Sequence, residues 1–189
     1  MITNNLLWTD VETTGLDPGS ELILALGFKL TTIDLEPIAS LNLVYRYDRN
    51  HLSMSPYVYD MHSKSGLLDM LHEGINPYEA YDPIRNFLNK YCPPNLPMKE
   101  RPLIAGNSIN FDRSFLYRNY HWYIHHVHYR SIDVSSMRTE TSHMAPELLI
   151  NAPQSRNAHL PLLDIDDSIE LLRYLRKVIW SPVHQLTPV

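Results

Sequence analysis

Leu6-Leu7-Trp8-Thr9-Asp10-Val11-Glu12-Thr13-Thr14-Gly15 is the stretch around which the rest of the chain is organised. An apolar run leads straight into two acids, and a turn follows. Strand side chains alternate faces, so Asp10 and Glu12 point the same way, about 7 Å apart. Two carboxylates on one side of a central strand repel each other and lose hydration. A divalent cation would offset both costs. A strand end running into a solvated acidic turn has the same letters, and this stretch alone leaves the two readings open.

Working outward, residues 5–12, 21–32 and 38–47 read as three strands of a β-meander, joined at the second turn by Ile33-Asp34-Leu35-Glu36-Pro37. From about Lys64 the period changes, and Leu67, Leu68, Met70 and Leu71 fit a short helix. A second helix runs from Pro77 to about Tyr91, with Ala80, Ile84, Phe87, Leu88 and Tyr91 on one face. Residues 92–101 are a Pro-rich loop, 102–105 a short buried strand ending at Gly106, and 108–120 a helix. Residues 129–134 read as a strand, 135–144 as a helix, 151–161 as a loop and 163–179 as the last helix. Strands first, then strand–helix alternation, is the pattern of an α/β fold: a mixed sheet flanked by helices.

A length of 189 residues suits one domain with a real core, and 44% hydrophobic with 20% charged residues is ordinary for a globular protein. The start of the chain lacks the pattern of a signal peptide, and no apolar run is long enough to span a bilayer. The single cysteine, Cys92, excludes an internal disulfide and fits a reducing compartment, so a cytoplasmic location is expected. A net charge of -5 argues against broad electrostatic binding to long nucleic acid, but not against a short substrate held by metals and a few donors.

Two further acids stand out. Asp112 shares a helix face with Ile109, Phe115 and Leu116, and Asp164 falls among Leu171, Leu172, Leu175 and Ile179. Asp166, Glu170 and Arg173 fall on the opposite side, so Asp166 reads as a solvated charge. A carboxylate within an apolar stripe is costly unless paired. Each could be a first-turn acid, a role worth about 1 kcal/mol. Taken together, four acids aimed inward from a strand and two helices favour a metal site. His159, five residues before Asp164, could reach that site, where a neutral imidazole near metal-bound water is a plausible general base.

These residues resemble a known pattern. Asp10-x-Glu12, Asp112, and His159 followed five residues later by Asp164 look like the DEDDh family of 3′→5′ exonucleases. Thr14-Gly15-Leu16-Asp17-Pro18, His62-Ser63-Lys64-Ser65-Gly66-Leu67, Gly106-Asn107-Ser108-Ile109, Asp112-Arg113-x-Phe115-Leu116 and Tyr129-Arg130-x-Ile132-Asp133-Val134-Ser135 resemble the oligoribonucleases, in family order and spacing. The resemblance implies a ribonuclease H-like mixed five-stranded sheet and one exonuclease domain over residues 1–180, with 181–189 as a tail. It implies a homodimer that hydrolyses very short RNAs, above all dinucleotides with a 5′ phosphate, from the 3′ end. It implies two divalent ions, Mg²⁺ or Mn²⁺, held by Asp10, Glu12, Asp112 and Asp164, with His159 taking the proton of the attacking water. Leu16 matches a leucine that wedges between bases, Tyr57 a stacking aromatic and His62 a histidine near the 3′ nucleotide. Ser108, Arg130 and Ser135 match a cap over the 5′ phosphate, which Tyr129 reaches from the partner subunit.

Departures from the family pattern are Thr13 for a methionine, Leu163 for an aspartate before the catalytic one, Leu160-Pro161 after His159, and Tyr57 for a tryptophan. Tyrosine should stack less strongly but keeps an aromatic face. Two other functions fit the same letters. One is an exonuclease acting on longer single-stranded DNA or RNA. The other is a non-catalytic module that keeps the dinucleotide pocket.

Overall fold

The computed structural model describes residues 5–180, so residues 1–4 and the expected tail 181–189 lie outside the described residues. The meander forms as β1 (Asn5–Thr13), β2 (Ile23–Thr32) and β3 (Pro37–Val44). β4 (Leu103–Gly106) and β5 (Ser131–Asp133) add to the other edge, giving a five-stranded sheet in the order β3-β2-β1-β4-β5. β1 pairs antiparallel with β2 and parallel with β4. The sheet is mixed, with β1 at its centre.

Alternation along β1 assigns its side chains to two cores. Leu7 and Val11 join Phe28, Ile84, Phe87, Phe115 and Leu116 on one face. That layer holds α3 (Tyr81–Tyr91) and α4 (Asn110–Tyr120). Leu6 and Trp8 join Val134, Ile165, Ile169, Leu172 and Leu175 on the other. That layer holds α5 (Val134–Met144) and α6 (Pro161–Trp180). Asp10 and Glu12 share the parity of Leu6 and Trp8, so they face the α6 layer.

Among the boundaries that differ from expectation are three helix starts. A helix α1 (Pro56–Lys64) precedes α2 (Leu67–Met70), where the sequence pattern predicts helix only from about Lys64. Only His62 is buried on α1, so it carries no apolar stripe. Its signal is the cap: Ser55 Oγ accepts the Val58 N–H, and Pro56 stands at the first helical position. Helix α3 begins at Tyr81 rather than Pro77. Helix α6 begins at Pro161 rather than Leu163, since proline is at home in a first turn.

Gly27 decides how near α6 comes. It pairs with Asp10 across β1 and β2. A Cβ built there would lie 2.7 Å from Pro161 Cβ and 3.2 Å from Ile165 Cδ1. A glycine inside a strand marks a close approach, and here the first turn of α6 sits directly on the sheet beside Asp10.

Candidate metal and substrate site

The pairing of β1 with β4 runs only from Leu6–Leu103 to Trp8–Ala105, and β1 continues past it. Beyond that point the Val11 N–H donates to Asp112 Oδ1 at 2.9 Å, so the first turn of α4 delivers its carboxylate to the end of the sheet. Asp164 stands in the first turn of α6, where its Oδ2 accepts the Leu160 N–H at 3.1 Å. Asp164 thus caps its own helix while Asp112 ties α4 to β1, and both line one cavity of about 310 Å³ with Asp10, Glu12 and His159. Ligand atoms of Glu12, His159 and Asp164 lie within 4.8 Å of one another.

Electrostatics mark these acids as a unit. Burial, then Asp112, Glu12 and Asp164, hold the Asp10 carboxyl well above the usual range. Burial, then the charges of Asp164 and Asp112, push Glu12 up to about 8. Burial pushes Asp112 up to about 7 against the Val11 N–H, which favours its anion. Burial raises Asp164, while the neighbouring His159 works the other way. Asp10 Oδ2 is buried with no hydrogen-bond partner. Hard, mutually repelling oxygen donors with an orphaned buried atom among them fit divalent cations.

The loop bearing His159 is fastened to α6. Arg156 donates to Asp167 through both its Nε, at 2.7 Å, and its backbone N–H, at 2.7 Å. Its Nη2 donates to the Leu163 carbonyl at 2.9 Å, and Ser155 Oγ donates to Asp167 at 3.1 Å. Asn157 and His159 both adopt positive φ, near 50°. That conformation costs a non-glycine residue free energy, and the surrounding bonds hold it. Asp166, read as a solvated charge, is instead ion-paired with Lys29 on β2, because β2 runs under the first turns of α6.

A second cleft adjoins the acidic cavity, sharing Val11, Glu12 and Phe111 with it, and is lined also by Leu16, Tyr57, Met54 and Met61. Leu16 is 81% exposed and Tyr57 76% exposed. Leu16 is thus not ordinary turn packing, and both side chains stand open to solvent. Phe111 and the two methionines carry no motif of their own; only the fold brings them here.

The remaining expected site residues fall into three groups. Ser108 and Ser135 meet, with Ser108 Oγ and N–H donating to Ser135 Oγ at 3.2 and 3.1 Å. Arg130 has its guanidinium 5.4 Å from the ring centroid of Tyr129, which stacks on His128 at 4.5 Å. His62 is wholly buried, its Nε2 donating to the Thr13 carbonyl at 2.9 Å and its Nδ1 lying 3.8 Å from Glu12 Oε2. Burial holds its imidazole below the usual range. In this structure it supports Glu12 and Thr13 from beneath.

Comparison with known proteins agrees with this geometry. The Exonuclease family profile (RNase_T) matches residues 7–172. The chain is 35% identical over 177 residues to the oligoribonuclease of Tropheryma whipplei, covering 92% of each chain. It is 32% identical over 180 residues to that of Vibrio campbellii, covering 94% of this chain and 96% of that one. Among solved structures, exonuclease I superposes with a TM-score of 0.69 at 16% identity, covering 97% of this chain and 44% of that one. E. coli exonuclease I in complex with a dT13 oligonucleotide gives 0.68 at 19% identity, covering 96% and 43%. At such identities the structural likeness is one of fold.

Proposed function

The chain belongs to the Exonuclease family and, within it, to the oligoribonucleases, which are 3′→5′ exoribonucleases; from that premise we propose that it cuts 5′-phosphorylated dinucleotides in preference to longer RNA. One observation carries the reading. Carboxylates from one strand and two helices converge with His159 on a cavity that opens into the cleft of Leu16 and Tyr57.

Asp10, Glu12, Asp112 and Asp164 would hold two divalent ions, Mg²⁺ or Mn²⁺. When bound, such ions acidify the attacking water and neutralise charge on the leaving 3′ oxygen. A ring nitrogen of His159 receives the water's proton. The Arg156–Asp167 staple keeps that ring beside Glu12 and Asp164. Leu16 separates the two bases and Tyr57 stacks on one, which sets the 3′ nucleotide at the carboxylates. Ser108, Arg130 and Ser135 form the wall that meets the 5′ phosphate and blocks a longer strand. His62 orders the floor under Glu12.

The exposed Tyr129, 60% accessible, suits a residue that reaches a second copy of the chain, so the working unit is a homodimer. Residues 1–180 act as one exonuclease domain. Among the described residues no helix is long and apolar enough to cross a membrane, and the free, buried Cys92 suits the cytoplasm.

The test is a ladder of end-labelled RNAs of two to seven nucleotides, with and without Mn²⁺ or Mg²⁺. Dinucleotides should disappear fastest, and only with metal. Accumulation of uncut dinucleotides would instead mark an exonuclease of longer strands, and dinucleotide binding without turnover a silent module.

A further inference from the structure

The two serines of the wall assigned to the 5′ phosphate have few free donors. Ser135 Oγ already donates to Asp133 Oδ1 at 2.6 Å. Ser108 spends its hydroxyl on Ser135 Oγ and shares its N–H between Ser135 Oγ and Asp133 Oδ1. Asp133 Oδ1 also caps α5 through the Ser136 N–H at 3.2 Å. An arriving phosphate would meet a carboxylate and two hydroxyls that point elsewhere. A phosphate dianion needs a cation or several N–H donors. Arg130 is stacked on Tyr129 and does not line the cavity.

Arg138 does line it, and among the described residues it is the one Lys or Arg that does. It follows Ser135 by three positions on α5, so the two share a helix face. Its guanidinium has no hydrogen-bond, ion-pair or ring partner among the described residues, although Asp10, Glu12, Asp112, Asp164 and Asp167 line the same cavity. Asp167 is satisfied by Arg156. An unpaired planar fork on a cavity that Ser108 also lines matches phosphate oxygens in geometry and charge.

We propose that Arg138 is a specificity-determining residue, whose guanidinium engages the terminal 5′ phosphate of the short RNA substrate. The assignment rests on the oligoribonuclease reading above and adds to that wall a cation that lines the cavity itself. Arg138 is exposed on a helix, so its replacements should fold, as thermal melting will check.

The experiment measures kcat and KM in Mn²⁺ for one dinucleotide sequence with a 5′ phosphate and with a 5′ hydroxyl, on wild type, Arg138→Gln and Arg138→Lys. Arg138→Gln should raise KM about tenfold for the phosphorylated form and less than about twofold for the hydroxyl form. Arg138→Lys should fall between, as a point charge without the fork. Equal losses on both substrates, or none on either, in an enzyme that cuts dinucleotides would overturn the Arg138 assignment alone. A wild type that leaves dinucleotides uncut would overturn the oligoribonuclease reading and the assignment with it.

Discussion

Asp10, Glu12 and Asp112 ride on the central strand and on a helix turn hydrogen-bonded to it, whereas Leu16 and Tyr57 stand on a turn and on a helix that buries little. The acid end is anchored on the sheet and internally repulsive. The base end is exposed and makes few contacts of its own. On the proposed function, anchorage on the sheet suits groups that would hold ions within tenths of an ångström, and exposure suits groups that would meet a base arriving from solvent. The repulsion is the cost of the first arrangement: each carboxylate raises the proton affinity of the next.

The contrast can be broken most severely at the acids. Asp10→Asn or Asp164→Asn should lower kcat by at least about 10³-fold. The same change should raise the melting temperature of EDTA-treated protein, because it removes a repelling charge. A variant that loses activity and stability together would show that the acids serve packing instead.

Next in size is Gly27→Ala. The added methyl meets Pro161, so α6 must lift away from β2 and carry Asp164 with it. A displacement of about 1 Å should lower kcat roughly 10²-fold. Circular dichroism should remain that of a folded protein. Unchanged kcat would mean that the placement of α6 does not set the site.

Tyr57→Ala probes the other end. Loss of one stacked base, about 1–3 kcal/mol, should raise KM about tenfold and leave kcat within about twofold. A fall in kcat with constant KM would place Tyr57 nearer the chemistry than the cleft suggests.

The smallest effect expected is on pH. Glu12 at about 8 and Asp112 at about 7 bind protons more tightly when folded than at their ordinary values of 4.5 and 3.8. Between those limits the folded state carries more protons, so stability falls as pH rises. The melting temperature of EDTA-treated protein should therefore drop by a few degrees from about pH 5 to pH 8. In Glu12→Gln the slope should shrink. A midpoint that rises over that window would contradict the mutual repulsion.

Much of this was legible in the letters. The meander, the β4–α4 and β5–α5 units and the last helix follow from hydrophobic period, and the four acids stand out because each interrupts an apolar pattern. Helix α1 escaped that logic because it buries only His62, though Ser55-Pro56 marked its start. Gly27 offered a signal, a glycine inside a strand, but not what approaches it.

Local order and the chemical inventory were determined by the sequence alone, since periodicity and side-chain type act over a few residues. Only the tertiary structure decided which distant groups share a space. Asp112 meets Val11 from 101 positions away, and Arg138 rather than Arg130 lines the acidic cavity. Asp164 serves its helix and the cavity together. Such pairings arise from packing two layers onto one sheet, and the spacing of residues along a chain does not carry them.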